Sequence, residues 1–220
     1  MDTLSEPWPT TEAEARAVQE RLRGLVVAHD DVPPLRRLAA VDAHYGEQDG
    51  ITWAAVAEID PDTLELTRSV LLARRTVFPY VPGLLSFREV PAMAEALALL
   101  PEPPDLVVVD GQGMAHPRRF GLACHLGVVT GLPTVGVAKS RLVGRYEEPG
   151  RERGSSSPMW HRREIVGVAL RTRDGTNPLF VSVGHRVSLQ TCVDLVLRVT
   201  PKWRLPEPIR LADAISRMHG

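Results

Sequence analysis

Two short apolar runs each end in an aspartate: Leu38-Ala39-Ala40-Val41-Asp42 and Leu106-Val107-Val108-Val109-Asp110. Runs of this length without a polar residue belong to strands buried on both faces, at the centre of a sheet covered by helices. A carboxylate ending such a strand lies against a core, where an ionised group needs a partner, a proton or a metal. If the two strands are neighbours, both acids arrive at one edge of the sheet. A shared pair of hard oxygen ligands is what Mg²⁺ takes, with positions left over for water and phosphate oxygens. For either aspartate alone a simpler reading stays open, that it caps the turn that follows.

The rest of the chain arranges itself around these runs. Residues 11–28 predict a helix, with Thr11-x-x-Glu14 as a capping box and Val18, Leu22, Leu25 and Val26 on one face. Strands over Leu38–Tyr45, Ile51–Ile59 and residues 64–77, the last two joined by Asp60-Pro61-Asp62, predict an antiparallel meander. A helix over 91–100, a strand over Leu106–Asp110, a helix over 118–130 and a strand over Thr134–Ala138 then set a βαβ rhythm, which requires parallel strands. Residues 145–163, rich in Gly, Pro, Ser and charge, read as a long surface loop. Residues 164–171 and 179–183 form a hairpin turning near Asp174-Gly175, and helices follow over 189–197 and 209–217. With no repeat and no second boundary, residues 1–220 read as one α/β domain. Its expected form is a ribonuclease H-like mixed sheet, the antiparallel meander followed by parallel strands, with helices on both faces.

Composition narrows the function. Hydrophobic residues make up 44% of the chain, enough for a packed core, and no apolar run approaches the roughly 18 residues of a membrane span. The acidic start, Met1 to Glu6, lacks the basic head and apolar stretch of a signal peptide. Cys124 and Cys192 lie in apolar surroundings without metal-type spacing and read as buried thiols in a reducing cytoplasm. A net charge of −1 argues against a broad electrostatic footprint for nucleic acid, though a carboxylate-based metal site subtracts from that total. Local basic clusters remain at Arg36-Arg37, residues 116–119 and residues 139–145, each of which also reads as a solvated face. Among the 26 basic side chains only Lys139 and Lys202 are lysines, so Lys139 marks a place where a compact ammonium is wanted.

Three stretches carry the chemistry. In Asp110-Gly111-Gln112-Gly113-Met114-Ala115-His116-Pro117-Arg118-Arg119 the glycines let backbone approach a ligand, and His116 can hydrogen-bond a phosphate or a metal-bound water. Arg118 and Arg119, placed at a helix start, conflict with the macrodipole unless an anion lies near. In residues 78–87, prolines 79 and 82 stiffen a loop that presents Tyr80, as a wedge between bases requires; a ring packed on the domain is the alternative. In residues 136–144, Lys139 stands just past a central strand, on the edge where α/β proteins bind ligands. Glu89 is a third acid: Ser86-x-x-Glu89 fits a structural capping box, but Pro91 argues against a helix starting there. Asp213, on the last helix, is a fourth.

Val41-Asp42, Pro79-Tyr80-Val81-Pro82-Gly83, Ser86-Phe87-Arg88-Glu89, the 110–121 stretch and the 136–142 stretch together resemble the endonuclease V family, in the family's order and over roughly residues 10–218. The Asp-Gly-x-Gly-x-x-His-Pro-Arg element is the most specific part, and Gln112 stands where the family often carries His. The resemblance implies a ribonuclease H-like DNA repair endonuclease. Such an enzyme recognises deoxyinosine and hydrolyses the second phosphodiester 3′ to it, leaving 3′-hydroxyl and 5′-phosphate ends. It implies Mg²⁺, with Mn²⁺ as a substitute, held by Asp42, Glu89 and Asp110, with Asp213 near the metal. It places Tyr80, Pro79, Val81 and Pro82 on the wedge, and Gly83, Leu85, Gly111 and Leu122 on the base pocket. His116 and Lys139 fall near the scissile phosphate, and Gly113, Arg118, Ser140 and Leu142 on further nucleic-acid contacts. A cytoplasmic monomer acting on inosine nucleic acid, DNA in preference to RNA and away from membranes, is the expected setting. Two other readings stay open: a related ribonuclease H-like nuclease without inosine preference, and a non-catalytic inosine reader.

Overall fold

In the computed structural model, which describes residues 8–45 and 50–218, side-chain alternation along the central strands sorts the core into two helical layers. The acidic start, Met1 to Glu6, lies outside the described residues. Strands β1 (Leu38–Tyr45), β2 (Ile51–Ile59) and β3 (Leu66–Arg75) form the antiparallel meander. β4 (Leu106–Asp110) pairs in parallel with β1, and β5 (Thr134–Ala138) in parallel with β4. β6 (Ser156–His161), β7 (Glu164–Leu170) and β8 (Leu179–His185) complete the sheet in antiparallel fashion, with β8 against β5 and β6 at the far edge. The strand order is β3-β2-β1-β4-β5-β8-β7-β6. This is the mixed α/β sheet expected from the sequence.

The described residues form five helices, α1 (Glu12–Leu22), α2 (Ser86–Ala98), α3 (Leu122–Thr130), α4 (Leu189–Arg198) and α5 (Glu207–Ser216); the last four cover the sheet and α1 packs on α3. Ala39, Val41, Ala54, Val107 and Val109 face one layer, against Val90, Met93 and Leu97 of α2 and Leu122 and Leu126 of α3. Leu38, Ala40, Ala57, Leu106, Val108 and Val137 face the other, against Cys192 and Leu195 of α4 and Ile209 and Ala212 of α5. The alanines of β1 and β2 are small enough for helices to seat closely over them. Each buried Val, Leu or Ile contributes about 1.5–3 kcal/mol. Cys124 and Cys192 are free, buried thiols, both pushed above the ordinary thiol range by burial. No helix among the described residues is long and apolar enough to cross a membrane.

Several boundaries differ from expectation. The first helix has the expected Thr11–Glu14 capping box but ends at Leu22, followed by one 3-10 turn, Arg23–Leu25. Helix α2 begins at Ser86 and runs through Pro91. Proline there leaves the Phe87 carbonyl without its helical donor. The indole Nε1 of Trp8 donates to that carbonyl at 2.8 Å, so a residue 79 positions away repairs the gap. Ser86 is no cap, because its hydroxyl pairs with His125 Nδ1 at 2.9 Å. Helix α3 starts at Leu122 rather than 118, since Arg119 takes a left-handed turn (φ 58°). Within 145–163, expected as loop, Ser156–His161 forms the edge strand β6, paired to β7.

Candidate active site

The register that pairs Val41 with Val109 leads one residue further to Asp42 and Asp110. Parallel neighbours lie about 4.8 Å apart, and residues in register point to the same face. Both aspartates share the parity of Leu38, Ala40, Leu106 and Val108, which places them on the face covered by α5. There Ser216 Oγ donates to Asp42 Oδ2 at 2.8 Å. Asp213, one turn earlier on α5, accepts from Arg217 at 2.9 Å. Glu89 arrives from α2 on the opposite layer, almost fully buried, and accepts a hydrogen bond from the Tyr45 hydroxyl.

The acids feel one another. Burial is the main cause that raises Glu89, up to about 8, and the carboxylates of Asp42 and Asp110 add to it while Tyr45 and Arg88 pull the other way. Asp42 is likewise raised, first by burial and then by Asp110 and Asp213, against the pull of Ser216 and Lys139. Lys139, two residues beyond the Val137 that pairs with Asp110, donates to Asp110 Oδ2 at 2.5 Å. Burial works against its charge, but Asp110, Asp42 and Asp213 outweigh that and hold it above the ordinary lysine value.

The donor set suits a hard divalent cation. It is all oxygen, and burial first, then the neighbouring carboxylates, raises both Asp42 and Glu89, so a cation would relieve the cost of their charge. Among the described residues no three of these groups form a ready-made cage.

Beside the acids opens a cavity of about 370 Å³, a size that holds a small ligand. Asp110 and Lys139 lie on its wall, so it is continuous with the acidic cluster. Gly83, Leu85, Gly111 and Leu122, assigned to the base pocket, all line it, as do Tyr80, Val81, Pro82, Ser140 and Leu142. Its shape begins with a turn. Val81-Pro82-Gly83-Leu84 closes with Leu84 N–H donating to the Val81 carbonyl at 2.9 Å. Proline and then a glycine at φ 78° in the central positions make it a type II turn. The Gly83 carbonyl accepts from Gln19 Nε2 (3.1 Å), His116 Nε2 (3.0 Å) and Arg118 Nη2 (2.9 Å). Three donors on one oxygen fix the peptide plane. Just before the turn, Tyr80 stands 67% exposed while Phe78 is buried against Phe87. Pro79 is exposed next to Tyr80 but outside the cavity wall.

Three of the sequence assignments take different parts here. His116 is not free for a phosphate or a metal-bound water. Its Nε2 donates to Gly83 and its Nδ1 accepts from the Arg118 N–H at 3.2 Å, the pattern of a neutral ring. Burial, with the Arg118 charge, lowers it to about 4. Arg118 precedes α3 by several residues, so no dipole conflict arises, and it braces Gly83 and Gln19. Gly113 approaches protein rather than ligand: a Cβ there would stand 2.0 Å from the Val183 carbonyl oxygen. Sequence reading also missed Ser216, Tyr45 and Gln19. Ser216 falls three residues after Asp213, on the same helical face, which was a usable signal. Nothing local marks Tyr45 or Gln19, whose partners are distant in the chain. Gln112 bridges two loops by donating from Nε2 to the Ser140 carbonyl at 2.8 Å.

Comparison with known proteins places this arrangement. A sequence model of endonuclease V matches residues 20–214. The endonuclease V of Nostoc punctiforme is 49% identical over 210 residues, covering 95% of each chain. The crystal structure of endonuclease V from Streptomyces avermitilis superposes with a TM-score of 0.91 at 50% identity, covering 96% of this chain and 93% of that one. Endonuclease V of Ciona intestinalis, crystallised with a 24mer DNA containing an inosine followed by a ribo-adenosine, superposes with a TM-score of 0.82. Its identity is 26%, and the match covers 93% of this chain and 95% of that one.

Proposed function

Because this chain belongs to the endonuclease V family, and is therefore a nuclease, we propose that it recognises deoxyinosine in DNA and hydrolyses the second phosphodiester 3′ to it. The products are 3′-hydroxyl and 5′-phosphate ends. The observation that carries this reading is the continuity of the 370 Å³ cavity with the Asp42, Glu89, Asp110 and Lys139 cluster: one wall receives a base while the other handles a phosphate.

Specificity follows from hydrogen-bond polarity. Hypoxanthine offers an O6 acceptor and an N1–H donor, and adenine offers the reverse. The Gly83 carbonyl is already saturated by three donors and is not free to accept from N1–H, so a backbone N–H near Gly83, Leu85 or Gly111 would read O6 and another backbone carbonyl N1–H. Adenine in the same place leaves buried groups unpaired, which is the strongest discrimination a pocket offers. Guanine shares O6 and N1–H but carries a 2-amino group, which the walls at Leu85 and Leu122 exclude by shape. The base must leave the stack first, and a poorly paired inosine costs less to extrude than a matched base. Tyr80, held outward by the stiff loop, fills the gap.

Asp42, Glu89 and Asp110 would hold Mg²⁺ or Mn²⁺, with Asp213 beside them. When bound, the cation supplies a nucleophile at neutral pH and stabilises the leaving oxygen. Lys139 places a fixed positive charge against the phosphate as negative charge builds in the transition state. Tyr45 and Ser216 orient Glu89 and Asp42 through their hydrogen bonds.

The test is nicking of matched inosine DNA, inosine RNA and undamaged duplex, with and without Mg²⁺. Cleavage of inosine DNA at the second 3′ linkage, requiring Mg²⁺ and abolished by Asp42→Asn, is the expected result. Equal cutting of undamaged duplex would assign the chain to a nuclease without inosine preference. A near wild-type rate for Asp42→Asn would remove the acids from the chemistry.

A further inference from the structure

The β6–β7 hairpin closes with two residues, since Trp160 pairs with Ile165 and His161 with Glu164. The two are Arg162 and Arg163, at φ 53° and 68°. Both values lie in the left-handed region that such a turn demands, where asparagine followed by glycine is the favoured pair. Arginine carries a Cβ that crowds the following carbonyl there. The chain therefore keeps two charges at a position where two other residues would fold more easily, and strain held in this way points to use.

The surroundings show what the use is. Arg145, Trp160, Arg162 and Arg163 are all exposed, Trp160 by 49%. Glu164, the nearest acid in the chain, is engaged by Arg119 at 2.9 Å. Among the described residues Arg145, Arg162 and Arg163 form no ion pair. A groove of about 440 Å³ runs between Gly144-Arg145 and residues 160–163. The chain links it to the active site: Leu142 rims the base cavity, and three residues later Arg145 exchanges two backbone hydrogen bonds of 2.8 Å with Trp160.

We propose that the β6–β7 hairpin is a second nucleic-acid contact, in which Arg145, Arg162 and Arg163 grip the phosphate backbone away from the lesion. The contact reads no base. It supplies affinity without sequence preference to a chain whose net charge is −1. It rests on the nuclease reading only in taking nucleic acid as the ligand.

The variant Arg162→Asn with Arg163→Gly gives the turn its preferred residues and removes both charges, so stability and binding should move in opposite directions. Binding of labelled inosine duplex and of undamaged duplex is measured in EDTA between 50 and 200 mM KCl, alongside thermal unfolding. The variant should melt at the same temperature or higher and lose affinity for both duplexes by the same factor. Its log–log salt slope should be shallower by about 2, so that the fall in affinity across that salt range shrinks about tenfold. Arg162→Lys with Arg163→Lys should retain the slope. Unchanged slope and affinity in the folded Asn-Gly variant overturn the proposal, as does a loss confined to inosine duplex. Failure of inosine cleavage would bear on the catalytic reading alone, because the salt slope is read on undamaged duplex.

Discussion

Gly83→Ala is the substitution that most directly probes how the cavity is built. The new Cβ would stand 3.3 Å from Arg118 Nη2 and 3.6 Å from His116 Nε2, on a backbone at φ 78°. The chain then has two courses. If the turn stays as it is, an L-residue in the left-handed region costs about 1–2 kcal/mol. If it relaxes to negative φ, the carbonyl swings away from three donors. Two neutral hydrogen bonds at about 0.5–1.5 kcal/mol each and one from a guanidinium at about 1.5–3 are then lost, about 2.5–6 kcal/mol together. Enduring the strain is the cheaper course. The expected outcome is a fall in Tm of about 2–8 °C, taking about 2–4 °C per kcal/mol for a chain of this size. Because the new Cβ presses on the Arg118 and His116 groups that brace the base cavity and touches none of the acids, preference for inosine over undamaged substrate should decline while kcat on saturating inosine DNA changes little. Calorimetry and paired cleavage assays read both. An unchanged Tm together with unchanged preference would refute the claim that the triple-donor carbonyl fixes the wall. A loss of kcat with preference intact would refute the separation of wall from chemistry.

Two further outcomes follow from the site. Glu89 is raised on folding from 4.5 to about 8, so the protonated form favours the fold and its stability is full below the ordinary glutamate range and lost as pH rises towards about 8. In EDTA, Glu89→Gln should therefore gain on wild type between pH 5 and pH 8, by at most about 5 kcal/mol, and parallel pH–stability curves would contradict this. Tyr80→Ala should weaken binding of inosine duplex more than of inosine single strand, since a wedge acts only where strands are paired; equal losses on both would remove that role.

Much of the framework was legible because it depends on local pattern. The apolar runs of β1, β4 and β5 carry their own boundaries, and parity alone puts Asp42 and Asp110 on one face once the strands pair. What escaped is decided by partners far along the chain. Pro91 breaks a helix in any local reading, and only Trp8 lets α2 run through it. His116 is a plausible ligand in sequence, and only the Gly83 carbonyl and the Arg118 N–H make it a neutral brace. Strand β6 combines serine, proline and exposed side chains, and is a strand because β7 pairs with it. Arg118 and Arg119 look helical until Arg119 turns left-handed and binds Glu164 and His161.

The bond from Trp8 to the Phe87 carbonyl reaches further than helix geometry. Phe87 lies two residues from Glu89, and the Trp8 ring also stacks on His125, itself paired with Ser86. A bulky, uncharged side chain 79 positions earlier thus completes the helical turn that carries a buried acid. Removing the Trp8 indole would leave the Phe87 carbonyl unpaired inside the helix while every acidic group stayed in the chain.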